Sequence, residues 1–232
     1  MGGVIDSSIW IDPIRSKPQR IYEPKQITYS AEGSYIPTFL RDIFLTKTED
    51  ESKKIILGLK SFGKYSGLFE DIKIDQYRKS KDSPFSLVFK LKNKNLKISN
   101  IGYGVSQIIP ILTEILREQK AKIFLIQQPE VHLHPRSQAY FGEFIFEQFI
   151  NNDKQFVIET HSDYVIDRFR LQLKKYPQND LYKKVNILFF ESNGTNNSIT
   201  SIGLEADGNY SSNQPQNFRD FFFKEEMSLL GF

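Results

Sequence analysis

Apolar positions change rhythm along the chain, and the changes divide it. Up to residue 40 no rhythm holds. Asp12-Pro13, Lys17-Pro18 and Glu23-Pro24 interrupt the apolar residues and predict an irregular, turn-rich segment. Residues 38–64 take up helical spacing, broken by the charged stretch Lys47–Lys54. From 71 to 98 the period drops to two. Phe85-Ser-Leu-Val-Phe-Lys-Leu91 puts Leu87, Phe89 and Leu91 on one face, and Lys92-Asn-Lys-Asn95 supplies a turn into Leu96-Lys-Ile98. That is antiparallel β-structure.

After residue 99 the texture alternates. Ile108, Ile109, Ile111, Leu112, Ile115 and Leu116 make one helical apolar face. Ile123–Ile126 is a short buried-type strand. A helix over 136–150 follows, carried by Tyr140, Phe141, Phe144, Ile145 and Phe149. Then come a strand at Gln155–Ile158, a helix over 164–175 and a strand at Val185–Phe190. Strands alternating with helices predict an α/β fold with a largely parallel sheet flanked by helices, preceded by the antiparallel region. Three portions result: 1–98, 99–190 and 191–232. The last is a polar hairpin and loop ending in an apolar stretch from Phe218, expected to be a helix packing on the core rather than a partner-binding tail.

Composition narrows the function classes. The 232 residues include no cysteine, which excludes disulfides, thiolate metal sites and cysteine nucleophiles. Net charge is +3, with Lys and Arg scattered, too mild by itself to argue for nucleic acid. No apolar run reaches the roughly 18 residues of a membrane span. The first residues lack the basic start and apolar core of a signal peptide. A cytosolic protein without membrane contact is expected.

The chemistry concentrates at three places. Gly58-Leu-Lys-Ser-Phe-Gly63-Lys64-Tyr65 is close to a phosphate loop, but Tyr65 cannot replace the small hydroxyl that holds Mg²⁺, and a helix end is the better reading. Gly102-Tyr-Gly104-Val-Ser106-Gln107 opens a helix. Its glycines permit a tight turn, Ser106 reads as an N-cap, and the first-turn N–H groups would form an anion site. Pro110 is placed in or beside that first turn. The other two places are Gln127-Gln128-Pro129-Glu130-Val-His132-Leu-His134-Pro135 and Glu159-Thr-His161-Ser-Asp163, each at the end of an apolar strand. Ligands of parallel sheets sit beyond those ends, so both segments are expected to face one ligand.

Taken in order, these motifs resemble the C-terminal half of an ABC-type ATPase head, as in structural-maintenance-of-chromosomes and OLD-like (overcoming lysogenization defect) proteins. Gly102–Gln107 resembles the signature loop, Ile123–Gln128 the Walker B strand, Pro129–Pro135 the PExHLHP form of the OLD-like branch over the D-loop, and Thr160-His161-Ser162 the switch histidine. Asp12-Pro-Ile-Arg15, Arg20-Ile-Tyr22 and the aromatic tail fit a subgroup of these AAA-type proteins. The resemblance implies ATP and Mg²⁺. Gly102, Gly104, Ser106 and Gln107 would bind the nucleotide of an opposite subunit, His132 and His134 would line the dimer seam, and His161 would contact the γ-phosphate. It also implies a homo- or heterodimer and work on DNA, including antiviral defence.

Two departures alter the expectation. No phosphate loop precedes the β region, so the lobe bearing Walker A is expected from another polypeptide, or the sequence is a fragment; alone, this chain is expected to be inactive. Gln127 stands where relatives place the acid that helps hold Mg²⁺, and Gln128 where many place the glutamate that activates water. An amide takes no proton near neutral pH. Glu130 is the nearest carboxylate in sequence. Two other readings stand beside this one. One is an inert assembly subunit with an ATPase shape. The other is a metal hydrolase using His132 and His134 on an extended segment, with His161, Asp163 and Glu130 as further ligands.

Overall fold

The computed structural model describes residues 8–45, 50–117, 122–177, 180–192, 194–215 and 217–231. It divides into two units, residues 1–168 and 169–232. In the first unit, Ser8–Ile11 (β1) is followed by Ile36–Leu45 (α1), Asp50–Ser66 (α2), Asp71–Gln76 (β2), Phe85–Leu91 (β3) and Lys94–Lys97 (β4). Tyr103–Leu116 (α3), Ile123–Gln127 (β5), Pro135–Asn152 (α4) and Gln155–Glu159 (β6) come next, and Asp163–Leu173 (α5) runs across the division. Of the expected charged break, residues 46–49 lie outside the described residues.

Two sheets share this unit. In one, β1, β5 and β6 pair in parallel in that order, with Ile9 opposite Phe124 and Phe124 opposite Phe156. β1 lies in the segment expected to be irregular. Its Ser-Ile-Trp-Ile sequence has strand-forming residues but spans only four positions, too few for a period to be read. The other sheet is the expected antiparallel β2-β3-β4. β3 is central and buried on both faces, so Val88 is as enclosed as Leu87 and Phe89. The turn between β3 and β4 is two residues, Lys92 and Asn93, with φ of 47° and 63°. Positive φ at both positions matches the right-handed twist of the strands it joins.

Helices α2, α3 and α4 pack together. Nearly every residue of α3 is buried, including Ile108, Ile111 and Leu112. Phe62 of α2 meets Phe144 of α4 edge to face at 5.6 Å. The near phosphate loop lies inside α2, and its glycines serve packing. A Cβ on Gly58 would meet Leu116 Cδ2 at 2.6 Å, and one on Gly63 would meet the Phe69 ring at 2.3 Å. Gly67, at φ 79°, follows the helix end. Pro110 is eight residues into α3, inside the helix rather than in its first turn, because the helix starts at Tyr103.

In the second unit, Asn186–Ser192 (β7) pairs antiparallel with Asn197–Gly203 (β8). The strand expected at 185–190 therefore forms but builds its own two-stranded sheet instead of extending the parallel one. Arg170 donates to Gly208 O at 2.7 Å and stacks over Tyr210 at 3.7 Å. Phe218 lies edge to face with Phe189 at 5.2 Å and Tyr210 at 5.1 Å, and Asp220–Leu230 (α6) follows. Leu229 and Leu230 are exposed. The side chains of residues 221–223, 225 and 226 and all of residue 232 lie outside the described residues. Among the described residues no helix is long and apolar enough to cross a membrane.

Candidate functional site

The carboxyl ends of β5 and β6 lie side by side, as parallel pairing requires. Gln127 is opposite Glu159, and Gln128 N–H donates to Glu159 O at 2.8 Å. The two glutamine side chains converge on one carboxylate. Gln127 Nε2 donates to Glu159 Oε2 at 3.0 Å, and Gln128 Nε2 donates to Glu159 Oε1 at 3.2 Å. Gln128 has φ 43°, a turn that lets consecutive side chains reach the same partner. Glu159 heads one of the two strand-end segments singled out in the sequence, but no role of its own was assigned to it. Its signal was present: it is the last residue of an apolar strand parallel to Ile123–Gln127, so register alone brings it to the glutamines.

Glu130 has a different occupation. Its Oε1 accepts the His161 backbone N–H at 2.6 Å, while its Oε2 is buried with no hydrogen-bond partner. The carboxylate nearest in sequence thus braces the loop that carries His161, and the one that meets both glutamines is Glu159. Beneath them lies Arg15, only 1% exposed. Its guanidinium donates to Asp12 O at 2.9 Å, Gln127 O at 3.2 Å and Gln128 O at 3.2 Å. Burial lowers its pKa to about 10, and the charge of Glu130 acts in the opposite direction. Arg15 thereby joins the Asp12-Pro-Ile-Arg segment to the strand end.

The glycine loop meets the same region. Gly102, with φ 124°, is the N-cap of α3, and the capping role expected of Ser106 falls away because the helix begins three residues earlier. Ser106, 4% exposed, donates from Oγ to Tyr103 O at 2.6 Å, and Gln107 is buried beside it. A Cβ on Gly104 would stand 2.4 Å from His132 O, so glycine permits the two loops to touch. The Tyr103 and His132 rings meet edge to face at 4.7 Å.

His132 sits at φ 66°, so the extended HxH segment that a metal pair requires does not form. His134 caps α4 instead, its Nδ1 accepting from Arg136 N at 3.3 Å. Among the described residues no group of three His, Asp or Glu is placed to hold a metal ion. Gln138 of α4 ties the two strand-end loops together. Its Nε2 donates to Leu133 O at 2.8 Å, and its Oε1 accepts from Ser162 Oγ at 2.6 Å. The structure therefore joins Gln127 and Gln128 to Glu159, Glu130 to the backbone of His161, and Gly104 to His132.

Polar groups gathered beyond the carboxyl ends of parallel strands lie where α/β sheets ordinarily take their ligands. The comparisons specify the class. Residues 19–166 match the AAA ATPase domain family, and the chain belongs to that family. No curated protein matches the chain. Among solved structures, it is similar to an Smc head domain with an extended coiled coil bound to the C-terminal domain of ScpA, from Pyrococcus furiosus. That match has 12% identity, a TM-score of 0.49, and covers 87% of this chain and 43% of that one. A structure of an SMC ATPase, from work on ATP-driven dimerization and DNA-stimulated activation, has 11% identity and a TM-score of 0.49, covering 83% of this chain and 96% of that one. An Smc head with coiled coil and joint from Pyrococcus yayanosii has 11% identity and a TM-score of 0.47, covering 77% and 30%. The chain thus spans less than half the length of the first of these.

Proposed function

We propose that this chain is the signature-loop and switch-histidine portion of an ATPase head, and that a lobe carrying the phosphate loop completes its nucleotide site. The observation that carries the reading is an incomplete parallel sheet. Ile9, Ile11, Phe124, Ile126, Phe156 and Ile158 turn to the packed face. On the opposite face Trp10, Leu125 and Val157 stand in one row, and Trp10 and Val157 are 47% and 63% exposed. Parallel sheets are ordinarily covered on both faces. β6 is also an edge, with no strand among the described residues on its outer side. A strand and helix from the missing lobe would cover both.

The donor set at the strand ends suits a nucleotide with magnesium. The amide oxygens of Gln127 and Gln128 are hard oxygen donors, which Mg²⁺ takes through its own waters. Bound there, the ion would neutralise phosphate charge. Gly102, Gly104, Ser106, Gln107, His132 and His134 fall to the dimer seam in this reading, and His161 to the phosphate side. The PExHLHP form extends the proposal to OLD-like, cytosolic, DNA-related work such as defence against phage. ATP binding and turnover, measured for this chain alone and with a phosphate-loop lobe, test the reading. Turnover only in the assembly is expected. Turnover by the chain alone overturns it, and ATP binding without turnover in the assembly favours the inert-subunit reading.

A further inference from the structure

We propose that Glu159 is the carboxylate that accepts the proton of the attacking water, in the role that neither Gln127 nor Gln128 can fill. The inference rests on the ATPase reading above. Amides accept no proton near neutral pH. Glu130 holds the His161 backbone N–H with one oxygen, and the other is sealed from solvent. Using Glu130 as a base would release the loop that carries the histidine.

Glu159 has neither obstacle. It is exposed at the end of β6, two residues before His161. Each carboxylate oxygen accepts one glutamine N–H and keeps a further lone pair. Two amide donors on separate oxygens fix the plane of the carboxylate. Orientation of this kind is what a general base needs before its basicity matters. The glutamines thus become positioning residues, and the acid has moved across the strand pair from β5 to β6. In the step, a water O–H bond breaks and its proton goes to a Glu159 oxygen. The water oxygen bonds to the γ-phosphorus, and the bond from that phosphorus to its β-bridging oxygen breaks, its electron pair leaving on ADP.

Two measurements test this. In the chain alone, the side-chain amide ¹⁵N signals of both Gln127 and Gln128 are expected to shift in Glu159→Gln, because both amides lose the same acceptor. Signals that do not shift, or a shift of only one of them, overturn the shared carboxylate. In the assembly, single-turnover ATP hydrolysis is expected to fall on the order of 10²-fold in Glu159→Gln, with ATP binding retained. Adding Gln127→Glu to Glu159→Gln returns one carboxylate to the same pair and is expected to recover turnover. Unchanged turnover in the single variant, or no recovery in the double, overturns the role of Glu159 alone. An assembly that binds no ATP overturns the underlying reading and the inference with it.

Discussion

Arg15 makes the strongest claim of any single residue in this fold. A guanidinium closed off from water is costly unless its donors are used; here the two terminal nitrogens bind the carbonyls of Asp12, Gln127 and Gln128, while Nε is buried without a partner. Arg15→Ala is expected to cost about 2–4 kcal/mol, because it leaves the carbonyls of Asp12, Gln127 and Gln128 without their donor and opens a cavity beside them. Arg15→Lys is expected to recover only part of that, since a point charge cannot reproduce the fork. Urea unfolding of the three proteins checks both statements, and a loss under 1 kcal/mol for the alanine variant would refute the bracing role. Gly104 offers a second residue-level case. Its backbone is helical, so an added methyl group meets only a steric obstacle, the His132 carbonyl at 2.4 Å. Gly104→Ala is expected to lose about 1–3 kcal/mol. Gly102→Ala meets open space but carries φ 124°, so its cost, also about 1–3 kcal/mol, is conformational. Crystal structures of the two variants would separate the causes: a displaced His132 loop in the first, an undisplaced one in the second.

At the scale of elements, sequence patterning succeeded wherever the period had room to repeat. The period of two over Phe85–Leu91 and the apolar face from Ile108 to Leu116 were both readable, and both elements formed. It failed where an element is short or where pairing decides. β1 has four residues, and β7 shows nothing in its own sequence to say whether its neighbour is parallel or antiparallel. The same limit left Glu159 without a role: both strand ends were visible, but the register that pairs Glu159 with Gln127 is a tertiary fact. The N-terminus of α3 was misplaced because Ser106 looks like a cap, while Gly102 caps with no side chain at all. The β3–β4 turn gives an element-scale prediction. Lys92 and Asn93 both have positive φ, a conformation that suits Asn-Gly better than Lys-Asn. Lys92→Asn with Asn93→Gly is expected to stabilise the chain by about 0.5–1 kcal/mol. The denaturant midpoint should rise with an unchanged slope, and a fallen midpoint would show that the Lys92 side chain contributes more than the turn.

At the scale of the whole molecule, the open sheet connects packing to function. Hydrophobic area left in water gains nothing for the chain alone, and an unpaired strand edge invites unwanted pairing. Both features become favourable only when a second lobe buries them. Val157 separates the two situations, because it is on the open face of the edge strand and 63% exposed. Val157→Lys is expected to leave the stability of this chain within about 0.5 kcal/mol, as an exposed position allows. Charge on an edge strand opposes pairing, so the same change is expected to reduce self-association. Against a phosphate-loop lobe it should act differently, by burying an unpaired ammonium in the new interface. Affinity is then expected to fall by at least about tenfold, which corresponds to about 1.4 kcal/mol. Chemical denaturation, light scattering and titration of the lobe measure the three quantities on one variant. If affinity for the lobe is unchanged while the edge carries a lysine, the lobe does not bind at β6, and the exposed row of Trp10, Leu125 and Val157 must serve a different contact.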